Sequence, residues 1–374
     1  MTKPLFGING AGIGGLAAAI ALLRDGHDVV VFEQTAKFGR VGADINLTPN
    51  SVRALDGLGI GDKLRETAAR PTHRISRTWD TGEETSRLPM SDAAEQRYGA
   101  PQLTMHRADL MSALEQALPA GIVRFAKRAQ SVVEQGDKVL VGFADGSEER
   151  MDALIGADGI HSTIRSAILG PENPRFTGVV AYRAVVPTSR LSGPNLNTFT
   201  KWWGPNTETQ LVTFPLNRGQ DMFIFATTGQ DSWRHESWTM PGNVEEFRAA
   251  YAGFHPEARA FIDACDEVMK SALYEREPLP TWCKGRMTLL GDACHPMLPF
   301  MAQGAGMAIE DAVVLSRHLK DVTNDRIPKA FLAYQASRLE RTSQIQLGSR
   351  GNNWLREGGN ADWVYGYDAW VVAL

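Results

Sequence analysis

Six residues near the start of the chain, Gly10-Ala11-Gly12-Ile13-Gly14-Gly15, limit the possible folds more than any other stretch. They follow a short apolar run, Leu5–Asn9, and open an Ala- and Leu-rich segment, Ile13–Arg24. The β-branched and aromatic run Val29–Phe32 comes next. Strand, glycine turn, helix and strand within about 30 residues make a βαβ unit. Gly10, Gly12 and Gly15 satisfy GxGxxG. The first permits a tight turn, the second lets a diphosphate approach the backbone, and the third lets helix and strand pack closely. Glu33 follows Gly15 by 18 residues, at the end of the second strand. A carboxylate there accepts hydrogen bonds from both hydroxyls of an adenosine ribose and disfavours a 2′-phosphate. The motif predicts dinucleotide binding and leaves FAD and NAD both open.

Lys3 and the apolar stretch Gly15–Leu23 also imitate a signal peptide. A secretory apolar region has no use for glycines in this spacing, so the expected location is the cytoplasm. The stretch is also too short to span a membrane. A length of 374 residues suggests two domains. A net charge of −4 and a pI near 6.1 argue against nucleic acid or an anionic membrane as partner of the whole surface. Cys265, Cys283 and Cys294 are the only cysteines and form no CxxC pair. That excludes a disulfide framework and a Cys-type zinc site, and no metal is expected.

Further along, Asn50–Leu58, Gly61–Ala69 and Arg107–Leu118 read as helices. Arg74–Leu88 reads as a hairpin turning at Asp80-Thr81-Gly82, and Glu148–Ile155 as the return of a meander to a strand. The middle is β-rich: Val179–Val186, Asn197–Trp203, Glu208–Phe214 and Met222–Thr228 are spaced as in an antiparallel sheet. Helices are predicted at Val244–Phe254, Pro256–Ala264, Ala305–Leu319 and Pro328–Gln346. The nucleotide-type pattern lies at both ends of the chain. The fold class is therefore α/β, a Rossmann-like dinucleotide-binding domain with an inserted β-sheet domain and C-terminal helices. The expected partition gives the nucleotide domain residues 1–73, 99–175 and 274–325. The sheet domain takes 74–98 and 176–273, and a helical region takes 326–374.

Two later segments decide the cofactor. Gly156-Ala157-Asp158-Gly159-Ile160-His161-Ser162-Thr163-Ile164-Arg165 follows a strand and opens a helix. Leu290-Gly291-Asp292-Ala293-Cys294-His295-Pro296 also follows a strand, and leads into Gln303-Gly304-Ala305-Gly306-Met307-Ala308. With the glycine motif, in this order and spacing, they resemble the single-component FAD-dependent aromatic hydroxylases over nearly the whole chain. The stretches Lys201-Trp202-Trp203, His295 to Ala305 and Asp362 to Asp368 draw the likeness toward the hydroxynicotinate and salicylate hydroxylating members.

The resemblance implies bound FAD, NADH as transient reductant with NADPH not excluded, and O₂ as co-substrate. It implies that a flavin hydroperoxide hydroxylates a small hydroxylated aromatic or pyridine carboxylate, with loss of CO₂ where the attacked carbon bears the carboxylate. Such reactions belong to aromatic compound catabolism. It places Gly12, Gly15, Glu33, Arg40, Arg107, Asp158 and Asp292 on the cofactor, Asp292 at the ribityl chain, with Arg165 orienting Asp158. The segment Gly304, Ala305, Gly306 and Met307 caps the flavin ring, where a helix N-terminus suits its anionic edge.

Those relatives carry a histidine on the strand after the tryptophan pair, and another where Asn46 stands. Here the strand reads Glu208 to Phe214 without one. Alternation puts Glu208, Gln210, Val212 and Phe214 on one face. Glu208, Gln210 and His295 are the candidate catalytic residues: Glu208 as acceptor of the substrate proton or a solvated strand charge, His295 as acid-base group or structural residue, and Gln210 as a hydrogen-bonding contact. Asn46, Gln210, Val212, Phe225, Pro296 and Met301 are the candidate substrate contacts. Of Trp202 and Trp203, at most one lines the site. Other readings are a hydroxylase of a larger or non-carboxylated aromatic, and a flavin-binding sensor without turnover. The aromatic tail from Trp354 to Trp370 serves either as an interface or as packing, so the chain is a monomer or homodimer.

Overall fold

The opening βαβ unit forms where the glycines place it: strand Leu5–Asn9, helix Ile13–Arg24 and strand Asp28–Phe32. The computed structural model describes residues 3–39, 44–193, 195–233 and 240–374. Gly10 has φ +109°, and a Cβ on Gly15 would lie 2.0 Å from the Gly10 carbonyl oxygen. Only glycine allows both the turn and the close approach of helix to strand.

This unit lies inside a six-stranded sheet. Its order is Cys283–Lys284, Met287–Leu289, Ala153–Gly156, Leu5–Asn9, Asp28–Phe32, Val123–Arg124. All neighbours are parallel except the first pair. The register aligns Asn9 with Phe32 and Gly156, and Gly156 with Leu289. Four carboxyl-terminal strand ends therefore share one edge. They present the glycine loop, Glu33, Asp158 and Asp292 side by side, where ligands of open α/β sheets bind. Helices Ile13–Arg24 and Gly304–Leu319 pack so tightly that a Cβ on Gly14 would meet Leu290 at 2.5 Å and Ala308 at 3.0 Å.

The second sheet has seven strands, in the order Met269–Glu275, Arg175–Pro187, Asp221–Gly229, Gln210–Leu216, Phe199–Trp203, His73–Thr78, Glu84–Pro89. Its strands come from 73–89 and 175–275 and the first sheet's from the flanking segments, so the two sheets interleave along the chain. Phe199–Trp203 and His73–Thr78 are parallel; the other pairs are antiparallel. One face packs under helices Val244–Ala250 and Pro256–Asp263, with Trp202, Leu211, Ile224, Phe247 and Phe261 in that core. The other face carries Val212, Phe214, Phe223 and Phe225, closed by Leu298 and Phe300 from the segment after strand Met287–Leu289. Trp202 and Trp203 point to opposite faces, as the two-residue period requires.

Three elements differ from the sequence reading. Glu148–Ile155 is two strands in two sheets, Glu148–Met151 and Ala153–Gly156. Asp152 separates them because its carboxylate takes the Leu5 N–H at 2.8 Å and the Lys138 ammonium at 2.6 Å. The helix expected to reach Phe254 stops at Ala250. Tyr251 leaves it to donate to the Thr227 carbonyl at 2.6 Å. The helix begun at Gly61 ends at Arg65, and Ala69 instead bridges Thr104.

The C-terminal helix Ile327–Arg350 leads to a tail that packs on its own chain. Tyr365 is buried against Tyr98 and Trp354, and the Trp370 indole donates to the Ala54 carbonyl at 3.1 Å. No helix among the described residues is long and apolar enough to cross a membrane.

Candidate active site

The shared strand edge opens into a cleft facing the second sheet. A Cβ added at Gly12 or Gly159 would meet nothing within 4 Å, so the backbone is bare on the cleft side at both turns. Glu33 accepts the Ala11 N–H at 3.0 Å and the Thr35 N–H at 2.9 Å, which fixes its carboxylate beside the glycine loop. Asp292 follows the strand Met287–Leu289. It lines a recess of ≈ 140 Å³ with Arg183, Leu273, Pro296 and Leu298. Asp292 is open to water on that side, and protein surrounds it elsewhere. That crowding pushes its carboxyl above the usual range, against the pull of His295 and Arg107. Arg107 starts the helix Arg107–Gln116 and feels the Asp292 and Asp44 carboxylates. Burial outweighs both and lowers its pKa. Bare glycine backbone, one ribose-type acceptor, one recessed carboxylate and one guanidinium form a donor and acceptor set that fits the phosphates and polyol of FAD.

The helix N-terminus at Gly304 also points its free amides toward this region. Gly304 and Ala305 are partly open, and a Cβ on Gly304 would only touch Met297 at 3.8 Å. Gly306 is needed for packing, since its Cβ would meet Ser51 Oγ at 2.4 Å. Met307 is buried, and its N–H is bonded to the Gln303 carbonyl at 2.8 Å. Ala302, at φ +55°, holds a strained turn just before this helix.

His295 turns away from the sheet. Its Nε2 lies 2.5 Å from Asp311 Oδ2, its ring faces Trp282, and it is 1% exposed. It belongs to a buried network in which Asp311 also meets Arg338 at 2.7 Å. Arg338 meets Glu310 at 2.8 Å, and Glu310 takes Arg341 at 2.8 Å and Asn50 at 2.8 Å. The expectation of His295 as a proton acceptor for substrate is corrected on this ground. Cys294, His295 and Asp311 bring ligand atoms within 4.8 Å of one another. The Asp311 oxygens are already taken by Arg338, His295 and the Gly291 N–H, so the group is structural.

Asp158 accepts from Asn9 Nδ2 at 2.9 Å, Ser162 Oγ at 2.5 Å and the Thr163 N–H at 2.8 Å, which locks the turn before the helix Thr163–Leu169. Arg165 does not orient it. Its buried guanidinium pairs with Glu172 instead. Arg40 lies outside the described residues.

The sheet face opposite the cleft supplies the substrate-side floor. Register puts Gln210 opposite Trp203 and Val212 opposite both Lys201 and Phe225. Gln210 is 1% exposed and its Oε1 has no hydrogen-bond partner. Asn46 is 8% exposed; its Oδ1 accepts from Gln102 at 2.6 Å, while its Nδ2 has no partner. Pro296 lines the recess. Two expected contacts are elsewhere. Met301 packs with Met90, Tyr98 and Met307 under the C-terminal tail, because the 3₁₀ turn Pro299–Met301 sends it back from the floor. Glu208 precedes the strand, which begins at Gln210, and is exposed, with its carboxylate lying over Gly229. An acceptor in that position remains solvated, so alternation does not extend the buried face to it.

Sequence reasoning missed Asp44, Arg183, Leu298 and Phe300. Arg183 stacks on Phe225 at 5.4 Å and donates to Ser271 Oγ at 2.5 Å. Asp44 faces Arg183, Arg107 and His106. Desolvation still dominates and raises its carboxyl to about 6. The sign follows from linkage. A carboxyl raised from 3.8 to about 6 on folding costs nothing below pH 4, and its ionisation removes stability as pH climbs toward 6. Asp44→Asn is expected to gain on the wild-type apoprotein across that window, by on the order of 1 kcal/mol after solvent screening. Paired urea titrations at pH 4 and pH 7 measure it. A constant difference between the two proteins would show that Asp44 titrates normally.

Comparison with known proteins bears on the site. The family described as "FAD binding domain" matches residues 5–347. A 6-hydroxynicotinate 3-monooxygenase from Bordetella bronchiseptica is 42% identical over 374 residues, 100% of this chain and 97% of the relative. Among solved structures, a salicylate hydroxylase substrate complex superposes with TM-score 0.85 at 27% identity, covering 98% of this chain and 96% of that one. Klebsiella pneumoniae HpxO, complexed with FAD and uric acid, gives TM-score 0.82 at 28% identity, covering 96% and 90%.

Proposed function

From the premise that the chain belongs to the FAD binding domain family, we propose that it hydroxylates a small hydroxylated aromatic or pyridine carboxylate, with FAD bound in the cleft. It is an FAD-dependent aromatic-ring monooxygenase. The observation that carries the substrate class is the recess beside Asp292, walled by Leu273, Pro296 and Leu298, with Leu298 packed in turn on the apolar face Val212, Phe214, Phe223 and Phe225. An aromatic ring entering there meets apolar surface, which excludes water from the reacting carbon.

FAD, when bound, supplies the redox chemistry and the activation of O₂. The chain's residues do the rest. Asp292 accepts from the polyol hydroxyls and Arg107 neutralises phosphate charge. Glu33 holds the adenosine ribose, and the amides of Gly304 and Ala305 face the ring's electron-rich edge. Gln210 Oε1, buried and without a partner, accepts the hydrogen bond of the substrate's ring hydroxyl and raises electron density on the carbon to be attacked. Asn46 Nδ2, buried and without a partner, is a donor available to a substrate acceptor. NADH acts as the transient reductant, in the cytoplasm, with the chain as monomer or homodimer.

The test is a panel of hydroxylated benzoates and pyridine carboxylates, scored for stimulated NADH oxidation and for product under isotopically labelled dioxygen. One member is expected to yield one hydroxylated product per NADH, carrying the label. If every member that speeds NADH oxidation yields only peroxide, the hydroxylase reading fails.

A further inference from the structure

The sheet face over the cleft holds two buried basic side chains. Lys201 lies in the strand Phe199–Trp203, on the same face as Val212 and Gln210, and is 2% exposed. Its Nζ stands 3.5 Å from the centre of the Trp203 ring and 5.8 Å from that of Phe300, and donates to Asn352 Oδ1 at 2.6 Å. One strand over, Arg74 pairs in register with Phe199 and is 4% exposed. Its guanidinium lies 4.9 Å above the Phe199 ring and 5.0 Å from that of Trp354, with the Tyr365 hydroxyl as its polar neighbour. Arg356 approaches the other side of this group, 5.6 Å from the Trp203 ring.

Among the described residues, no carboxylate comes within 4.0 Å of the Lys201 or Arg74 nitrogens. A cavity of ≈ 210 Å³ opens beside Arg74, lined also by Ser76, Ser86, Leu355 and Gly358. Burial and the two arginines depress the Lys201 pKa well below the ordinary ammonium range. Buried cations without a partner charge are costly, and proteins keep them where a ligand supplies the missing charge.

We propose that Lys201 and Arg74 receive the carboxylate of the aromatic substrate, and so make this enzyme selective for ring acids over uncharged rings. The assignment rests on the hydroxylase reading above, since it takes the ligand to be an aromatic acid on the Val212–Phe225 floor. Lys201 Nζ and the Arg74 guanidinium, neither held by a carboxylate, are donors in a region rich in aromatic rings. A carboxylate held there leaves its ring stacked near Trp203 and Phe300, with Gln210 one residue pair away.

The test uses holoenzyme and two probes of one shape, benzoate and benzamide, by calorimetric titration. Neither probe bears a ring hydroxyl, so binding is read apart from turnover. Wild type is expected to prefer benzoate. In Lys201→Met the benzoate affinity should fall about tenfold or more while that for benzamide stays within about twofold. Lys201→Arg should retain the preference. Removal of a buried, desolvated amine should also raise the Tm of Lys201→Met, a second readout on the same variant. If wild type shows no preference, if both probes weaken equally, or if Lys201→Met keeps the preference, the assignment is overturned. Failure of the hydroxylase reading shows up separately, as a panel without labelled product from a protein that still discriminates the two probes.

Discussion

Arg338→Met is expected to lose roughly 3–5 kcal/mol of stability, the cost of breaking a buried ion network by removing one partner. Arg338 is 0% exposed and stands between Glu310 and Asp311, themselves 0% exposed. With it gone, Asp311 keeps His295 and Glu310 keeps Arg341, but two carboxylates share too little positive charge in a dry interior. Urea unfolding of apoprotein and holoenzyme measures the loss. A change below about 1 kcal/mol, the size of an exposed pair, would show that the network is solvated.

The pH dependence gives a second check on the same variant. Burial tends to raise the Asp311 carboxyl, but His295 and Arg338 outweigh it and hold the pKa below the ordinary 3.8. A depressed carboxyl contributes stability above its unfolded pKa and loses it as pH falls through the folded value. In Arg338→Met that depression is relieved, so wild type and variant should converge toward acid pH. The network also acts on the site. It anchors the helix that begins at Gly304 and the His295-Pro296 turn, so FAD affinity should fall along with stability in this variant.

The glycine loop was legible because each glycine there answers a separate steric demand. Strand Leu5–Asn9 and helix Ile13–Arg24 fall at the residues the punctuation marks. The convergence of Gly12, Glu33, Arg107, Asp158 and Asp292 on one edge required the motif order as well, since register alone brings Asn9, Phe32, Gly156 and Leu289 level. The sequence leaves His295 between a structural and a proton-accepting role because its partner, Asp311, lies on the next helix, and nothing local marks that inward turn. The sequence leaves Glu208 between a substrate contact and a solvated charge because alternation carries no information about where a strand begins. Lys201 had a signal: it shares parity with the aromatic residues Phe199 and Trp203. A lone lysine on the inward parity of a central strand is either misplaced or in use, and only the absence of a carboxylate nearby decides which.

Asp292→Ala is expected to weaken FAD by roughly 10- to 100-fold, since hydrogen bonds to a charged group contribute about 1.5–3 kcal/mol. The carboxylate is recessed and has no protein hydrogen-bond partner among the described residues, so its acceptor capacity is directed into the cleft. One effect opposes the loss: Arg107 is freed from Asp292 and becomes a stronger phosphate partner. That gain is small where water reaches the pair, and it acts on the diphosphate, while the loss acts on the polyol. The two are separable with adenosine diphosphate, which carries the phosphates and the adenosine but no ribityl chain. Quenching of flavin fluorescence gives FAD affinity, and competition gives that of the nucleotide. Asp292→Ala should bind adenosine diphosphate as well as wild type or slightly better, and FAD far more weakly. Asp292→Asn, which keeps one acceptor oxygen, should fall between. Equal losses for both ligands would mean that Asp292 only supports the shape of the cleft.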